Sequence, residues 1–497
     1  MQLSQTMPDL LIHEERRKQW IALMIATLGS MIVSAMVVMT NGNYFVGLSM
    51  LGVLAMGLLI RFPVLGIYLV AFAAMLLEQF YIVGLPNPVT LEIPFWLNLN
   101  LVTGIGALVV NPLEVVFGLV ILGWYVRRVA GREYFRLPCV PNLGVTLLFA
   151  GMLLFFAGLG LATGGDFKIA LWEVRALFYL VIAYLMGVQL LRRADQAELV
   201  VKIVVVALSI KGLQGCWRYF VTLGGDIGDV PAITGHEDAL FIVTWFALLA
   251  GLVVMNGGSP RLRAFMLVSA APLFITFIYA QRRVCYGALV FSMIILLIML
   301  DRQKQKLFLM AAIPLAIVGA LYLAAFWNKS GGIAMPAQQV KSIFVEGEEA
   351  DSSNTYREVE DYNLQETIRA YPQGLGFGKR YLIIIPLAEV DFPLWDYIPH
   401  NAMNWMWAKT GFFGFATLWL FVGAFAVRIL QVHRKLTNPF HRSITVMVMC
   451  MLINQMIVSK YDLQLTYYRN MVYLGLLLAL LVPLENAAKA GSGNEEE

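Results

Sequence analysis

Long apolar segments recur along this chain from residue 20 to residue 484. A helix needs about 20 apolar residues to cross a bilayer. Only 14% of the residues are charged, against about 25% in soluble domains. The pattern predicts an all-α polytopic membrane protein rather than a large soluble protein with buried helices. We place about fourteen transmembrane helices, at 20–39, 44–61, 64–84, 112–127, 141–162, 170–190, 200–222, 238–256, 264–280, 284–300, 307–326, 402–428, 443–459 and 468–484.

Basic clusters mark every second boundary between these segments. Lys and Arg are enriched in cytoplasmic loops, so their positions are more informative than the net charge of +4. The bias predicts that both termini are cytoplasmic and that the intervening loops face the outer side of the membrane. The clusters lie at 13–18, 127–136, 191–193, 260–263, 301–306 and 433–442.

Several classes of protein are disfavoured by what the sequence contains. No basic tract suggests nucleic-acid binding. The cysteines, at 139, 216, 285 and 450, are scattered and form no CxxC pair, which argues against a disulfide framework and a metal site. The polar N-terminus does not resemble a cleavable signal peptide.

The outer loop at 327–401 is the longest connection, and it precedes the twelfth predicted span. Long loops are uncommon unless they are functional. Thr355 and Glu358 form a capping-box pattern that predicts a helix over 356–370. The glycine-rich strip 372–379 that follows lacks the spacing of a phosphate-binding Walker A loop. We therefore divide the chain into an N-terminal transmembrane bundle with a cationic outer cavity (1–326), a large periplasmic loop (327–401) and C-terminal helices with a cytoplasmic tail (402–497).

Several cations fall on the outer side or within spans, where the charge bias does not predict them. Charged groups inside a membrane are costly unless they face a cavity or a partner. Lys211 and Arg218 share one helical face with Gln214, at spacing i, i+3 and i+7. The remaining outer cations are Arg175, Arg282, Arg283, Lys460 and Arg469.

Two interpretations of these cations remain open. Each cation could pair with a carboxylate, and the candidates are Glu78, Glu114, Glu173, Asp226, Asp229, Glu237 and Asp238. Alternatively, the cations line an outward-facing cavity for an anionic ligand, because the arginine fork suits phosphate. A polyprenyl diphosphate fits such a cavity, with its tail in lipid and its diphosphate at the interface. The placement of charge alone is also compatible with an anion transporter.

The segment 397–414, YIPHNAMNWMWAKTGFFG, joins the long loop to the next span. It carries His400 followed by Asn401, and it comes after NTYREVEDYNLQETIRAYPQGLGFGKR at 354–380. This order of an arginine-containing helix, a glycine strip and a His-Asn pair resembles the O-antigen ligase and O-antigen polymerase superfamily of bacterial membrane glycosyltransferases, which are of the GT-C type. The RRVCYG element at 282–287 resembles the outer arginine motif of that superfamily, although Gln281-Arg282-Arg283 stands where Ser-Arg-Gly is common.

The resemblance implies a metal-independent, inverting glycosyl transfer without a cofactor, on the periplasmic side of the bacterial inner membrane. The donor is an undecaprenyl-diphosphate-linked glycan. The acceptor is another lipid-linked glycan in a polymerase, and a lipid A core or a protein in a ligase. The predicted number of spans slightly favours a polymerase. His400 is expected to act as a base or phosphate contact, with Arg282 and Arg283 on the diphosphate.

Further residues are expected to bind substrate. They are Arg175, Lys211, Arg218, Arg357, Arg380 and Asn401. Structural alternatives exist for several residues of the outer face. Arg357 and Arg380 could be surface charges, and Asn401 could cap the helix that follows it. His236 could lie on a solvated turn or be a second element of the catalytic face.

Trp405 and Trp407 are expected to join the interfacial aromatic belt rather than to stack on sugar. Two other functions compete with glycosyl transfer. One is a secondary transporter or flippase for an anionic lipid-linked substrate, although the chain shows no repeated halves. The other is a scaffold of an envelope assembly, which leaves the outer arginines unexplained.

Overall fold

A computed structural model describes residues 44–493 except 83, 86–92, 107, 131–139, 229, 330, 345–351, 389–391 and 393, together with scattered positions from 20 to 39. Every regular element in this part of the chain is a helix, as predicted. The predicted first span and the basic cluster at 13–18 lie mostly or wholly outside the described residues.

The helices are α1 (Tyr44–Arg61), α2 (Pro63–Leu76), α3 (Leu99–Thr103), α4 (Pro112–Ala130), α5 (Leu143–Ala162), α6 (Phe167–Leu190), α7 (Ala194–Trp217, continued by a π-helical turn Arg218–Thr222), α8 (Asp238–Met255), α9 (Pro260–Tyr279), α10 (Arg283–Met299), α11 (Arg302–Phe326), α12 (Met335–Phe344), α13 (Ser352–Ala370), α14 (Ala402–Lys435), α15 (Pro439–Ser459), α16 (Tyr468–Ala479) and α17 (Leu481–Gly493).

Nine of the described helices are long and apolar enough to cross a membrane, or up to ten if the bent pair α1 and α2 is one span. That pair, predicted as two spans, bends by 119° at Phe62 because the following Pro63 disfavours helical backbone there. Helix α10 has only 17 residues, and α4 contains three charged residues. The all-helical, multi-span architecture is confirmed, whereas the count of fourteen stays a prediction.

The C-terminal helices α15 and α16 form the centre of the bundle. All residues of α16 are buried. Its Gly475 lies so close to α6 that a Cβ there would approach the Leu180 carbonyl oxygen to 2.5 Å. Small residues allow membrane helices to approach this closely. Helix α11 is the least buried of the candidate spans, because no residue of its most apolar stretch is buried within the protein.

The long loop contains the helices α12 and α13. The predicted helix at 356–370 is present, but α13 begins at residue 352, so that Thr355 lies inside its first turn and is not the cap. Helix α13 packs along the start of α14. It ends just before Pro372, as the sequence predicted, because proline cannot continue a helix.

The glycine strip 372–379, which we call the strap, ties the loop to the bundle. Gly376 has a positive φ of 84°, and its N–H donates to the Lys409 carbonyl at 2.9 Å. The N–H of Phe377 donates to Phe156 of α5 at 3.1 Å, and its ring is fully buried. A Cβ on Gly376 would lie 2.4 Å from the nitrogen of Gly160. The strap therefore requires glycine for both conformation and space.

Candidate active site

His400 lies where the loop meets α14, with its ring against a buried carboxylate. Its backbone N–H donates to Glu360 at 2.8 Å, and its Nδ1 lies 3.2 Å from the same carboxylate. Glu360 is 1% exposed, whereas about a third of the His400 side chain is accessible at 34%. With Nδ1–H directed at Glu360, the lone pair of the imidazole is on Nε2, which is the tautomer that a general base needs.

Asn401 begins α14 and holds it against α13. Its Oδ1 accepts from the Asn404 N–H at 3.0 Å, and its Nδ2 donates to Asp361 at 2.8 Å. This is a helix N-cap, the structural alternative considered for Asn401. Because both ends of the amide have protein partners, we do not assign Asn401 to substrate.

Three arginines approach one another beside His400. Arg282 and Arg283 stand at the start of α10, and Arg357 stands one turn before Glu360 on α13. Arg283 donates to Ser342 of α12 at 3.0 Å. The Nε atoms of Arg282 and Arg357 are buried without a hydrogen-bond partner among the described residues. Burial lowers the pKa of Arg357; Asp462 opposes this change, and the charges of Arg283 and Arg282 add to it.

A second imidazole–carboxylate pair faces this group. His236 precedes α8, and its Nδ1 lies 3.7 Å from Asp462 in the turn between α15 and α16. That Nδ1 is buried although 44% of the side chain is exposed. Asp462 in turn accepts from Tyr467 at 3.0 Å and from Gln464 at 2.9 Å. His236 thus has one buried edge beside Asp462, whereas the rest of its ring is accessible to solvent.

Electrostatics link these groups. Burial lowers the pKa of His236, and Arg282 and His400 add to this effect, whereas Asp462 opposes it. Burial alone would raise the pKa of Asp462, but its hydrogen bonds and the charges of His236 and Arg282 hold that pKa below its usual range. We call this group the arginine–histidine cluster. Its members are His236, Arg282, Arg283, Arg357, Glu360, His400 and Asp462.

The buried cations of α7 and α16 form a separate ionic network. Lys211 lies 2.8 Å from Glu78, which Arg218 also contacts with two nitrogens, at 2.5 and 2.7 Å. Arg469 lies 2.5 Å from Asp238. All of these side chains are nearly or fully buried. The structure thus places Lys211 and Arg218 in carboxylate pairs, and we do not assign them to substrate.

Arg175 and Arg380 also have partners within the protein. Arg175 lies 3.2 Å from Glu114 and donates to Asn98 at 2.7 Å, which fixes the loop after α2. Arg380 lies 2.7 Å from Asp396, with 68% of its side chain exposed. The structure brings neither into the arginine–histidine cluster. The surface-charge interpretation therefore suits Arg380, whereas Arg357 lies in the cluster.

The tryptophans after His400 differ from each other. Trp405 is fully buried and donates to Glu173 at 3.3 Å, so its assignment to the interfacial belt is wrong. Trp407 is half-buried and stacks on Phe415 with 5.0 Å between ring centroids. Glu173 also lies 2.6 Å from Lys409, a buried ion pair that the sequence did not predict. Trp405 is too buried to stack on a sugar.

Two members of the cluster were not predicted from the sequence. Glu360 lay within the quoted motif but received no role, and its signal is the i, i+3 spacing from Arg357 that puts both on one face of α13. Asp462 lies in an outer turn where only Lys460 and Arg469 were noted. Among the described residues, no three His, Cys, Asp or Glu side chains are grouped as metal ligands.

The sequence was compared with known protein families, and one family matches the region that contains most of this cluster. Residues 246–420 match the O-antigen ligase family. This match supports the resemblance of the chain to the O-antigen ligase and polymerase superfamily. No curated protein matches the chain. Together with the apolar helices, the match supports a multi-pass membrane protein with a role in the assembly of O-antigen or a related polysaccharide. The matched region contains Arg282, Arg283, Arg357, Glu360 and His400, whereas His236 and Asp462 lie outside it.

Proposed function

We propose that the arginine–histidine cluster transfers a glycan from undecaprenyl diphosphate to an acceptor hydroxyl by a single inverting displacement. The proposal rests chiefly on one observation. The imidazole of His400, backed by Glu360, lies next to arginines whose Nε atoms have no hydrogen-bond partner among the described residues. A proton acceptor beside buried positive charge is what attack on a diphosphate-linked sugar requires.

The step follows from these positions. The acceptor hydroxyl gives its proton to Nε2 of His400 while its oxygen forms a bond to the anomeric carbon. The bond from that carbon to the phosphate oxygen breaks on the opposite face, and the electron pair leaves with the diphosphate. Back-side displacement inverts the anomeric centre. His400 then releases the proton to solvent.

The arginines supply the stabilisation of the leaving group. Arg282, Arg283 and Arg357 carry fixed positive charge where the diphosphate gains negative charge, so the site needs little reorganisation during the reaction. Guanidinium groups bind phosphate oxygens bidentately and stay protonated. In this proposal they meet the charge requirement of the reaction without a metal ion.

The proposed orientation puts the cluster in the periplasm of a bacterial inner membrane, with both termini in the cytoplasm. The long loop and the cluster share one end of the bundle. Residues of the predicted cytoplasmic basic clusters meet at the other end, where Arg442 lies 2.7 Å from Asp301. A donor placed this way keeps its polyprenyl tail in lipid while its glycan faces the aqueous side.

The acceptor distinguishes a polymerase from a ligase. The slight preference for a polymerase rests on about fourteen predicted spans, a count that the structure leaves unconfirmed.

The assay that separates the two uses the purified protein in nanodiscs with undecaprenyl-diphosphate-linked repeat units and a chelator. A ladder of products identifies a polymerase, and transfer only after addition of a lipid A core identifies a ligase.

The assay compares two histidine variants. His400→Gln removes the proposed base and should abolish transfer. His441→Gln is the matched control, because His441 lies at the opposite end of the bundle, 3.2 Å from Glu198. A wild-type protein without transfer to any acceptor would refute the proposal and favour the transporter alternative.

A further inference from the structure

His236 is held at the cluster by groups from another part of the chain. Its partner Asp462 accepts hydrogen bonds from Tyr467 at 3.0 Å, from Gln464 at 2.9 Å and from the Leu463 N–H at 2.8 Å. A carboxylate with three donors is fixed in place. The Tyr467 ring also meets the imidazole edge-on, with 6.2 Å between centroids. The orientation of His236 is therefore set by the turn between α15 and α16.

The ring exposes one edge and buries the other. Nδ1 is buried, 3.7 Å from Asp462, and it has no hydrogen-bond partner among the described residues. Since 44% of the side chain remains accessible, the open part of the ring lies away from the buried Nδ1. Arg282 and His400 are close enough to alter the pKa of His236. His236 thus has an open edge beside the cluster that is proposed to bind the donor diphosphate.

We propose that His236 is a second substrate-contacting imidazole, which takes up a proton when the donor diphosphate binds and releases it when the diphosphate carrier leaves. Asp462 is its positioning residue. This inference rests on the proposed function, because it assigns a role toward the same donor. The two histidines need opposite protonation states. His400 must be neutral to accept a proton from the hydroxyl, whereas His236 must be charged to contact the leaving group.

The charges around His236 explain why its protonation depends on the ligand. In the protein without donor, burial disfavours the imidazolium, and the charge of Arg282 adds to this. Asp462 opposes both effects. A diphosphate diester brings two negative charges and offsets the repulsion from Arg282. The imidazolium is then the favoured form, and it adds a hydrogen bond to phosphate that neutral histidine gives only weakly.

The proton balance of the cycle is closed. Binding takes one proton from solution onto His236, and departure of the carrier returns it. The proton from the acceptor hydroxyl passes separately through His400. No oxidant, reductant or further reactant is needed.

The experiment measures proton uptake during binding rather than turnover. Calorimetric titration of the protein in nanodiscs uses an undecaprenyl-diphosphate-linked monosaccharide, whose two phosphates do not titrate near neutral pH. Titrations in two buffers of different ionisation enthalpy give the number of protons taken up. Wild type should take up as much as about one proton, and its Kd should rise up to about tenfold per pH unit over the range where His236 titrates.

Variants assign the proton to a residue. His236→Asn should abolish the uptake and make the Kd independent of pH, and Asp462→Asn should reduce both effects. His400→Asn should keep the uptake, and His441→Asn is the matched control for loss of a histidine. Loss of uptake in His400→Asn would overturn the inference by assigning the proton to His400. The measurement on His400→Asn decides the assignment of the proton even if His236→Asn does not fold.

Two further outcomes separate the inference from the proposed function. Binding by wild type without proton uptake would overturn the role of His236 and leave the proposed function intact. Failure of wild type to bind the diphosphate diester at all would overturn the proposed donor, and the role of His236 with it.

Discussion

Glu360 contacts His400 twice, through the backbone N–H at 2.8 Å and through Nδ1 of the ring at 3.2 Å. One carboxylate therefore fixes both the position of the residue and the direction of its imidazole. A carboxylate behind a histidine holds the imidazole in one tautomer and stabilises the imidazolium that forms when the other ring nitrogen takes a proton. This pair links α13 of the loop to the start of α14.

Replacing Glu360 with Gln should slow transfer by up to about 10⁴-fold, because an amide can hold a general-base histidine in the wrong tautomer. The amide keeps the shape of the side chain but removes its charge. The rate is measured with saturating donor and compared with that of Glu366→Gln, a control on the same helix that pairs with Arg369. An unchanged rate in Glu360→Gln would show that this carboxylate does not tune His400.

Replacing Arg357 with Lys should lower kcat/KM by roughly 100-fold or more, because an ammonium group does not reproduce the planar donors of a guanidinium at a developing charge. Arg380→Lys is the matched control, since the Arg380 side chain is exposed and pairs with Asp396 outside the cluster. Equal effects of the two substitutions on kcat/KM would remove Arg357 from the proposed leaving-group contacts.

The contribution of Glu237 to the stability of the protein should fall as pH rises from about 4.5 to about 7. Burial raises the pKa of Glu237 to about 7, although Arg469 opposes the change. Between these values the unfolded carboxyl is ionised while the folded one keeps its proton, so unfolding releases a proton and is favoured at higher pH. The full effect is about 3 kcal/mol.

The pH effect is measured as the thermal midpoint across this range for wild type and Glu237→Gln. The variant should gain stability relative to wild type as the pH rises, and most above about pH 7. A difference between the two midpoints that does not grow over this interval would contradict a raised pKa for Glu237.

Replacing Glu78 with Gln should destabilise the protein by about 3–5 kcal/mol, because it leaves Lys211 and Arg218 buried without their shared carboxylate charge. Lys202→Met is a control at an exposed i, i+4 pair and should change stability by less than about 1 kcal/mol. Thermal unfolding in detergent gives both values.

Binding assays separate the structural role of Lys211 from the predicted substrate role. Lys211→Met should lower stability while the Kd for the donor stays unchanged wherever the protein is folded. A folded Lys211→Met protein with much weaker donor binding would restore the original prediction for this residue.

Replacing Gly376 with Ala should destabilise the strap far more than Gly331→Ala destabilises its own turn. Both glycines have positive φ, so both substitutions carry the cost of a left-handed backbone, about 1–2 kcal/mol. Only at residue 376 would the new Cβ meet another backbone, 2.4 Å from the Gly160 nitrogen. The yield of folded protein and its thermal midpoint are compared, and equal losses would contradict the close approach of the strap to α5.

The sequence predicted those site residues that can be recognised from the residues next to them in the chain. His400 was predicted from its place between a polar loop and an apolar helix, and Arg282 and Arg283 from charges on the unexpected side. The pattern at 356–370 predicted most of α13, and with it the face that carries Arg357. Each of these signals needs only a few neighbouring residues.

The contact partners of these residues could not be predicted from short stretches of sequence. Glu360 meets His400, and Asp462 meets His236, only because helices distant in sequence pack side by side. Glu78 and Asp238 were among seven candidate partners for the buried cations, and spacing could not select between them. Helix α2 packs against α7, and this packing brings Glu78, just beyond the end of α2, to Lys211 and Arg218.

The central position of α15 and α16 has a consequence for biogenesis. Arg469, the cation that contacts Asp238, enters the membrane near the end of synthesis, long after α8. Until then the carboxylates beside α8 lack one of their counter-charges, and α6 lacks the helix that packs on Gly475. The buried ion pairs at the centre of the bundle are therefore completed only after the last helices have been inserted.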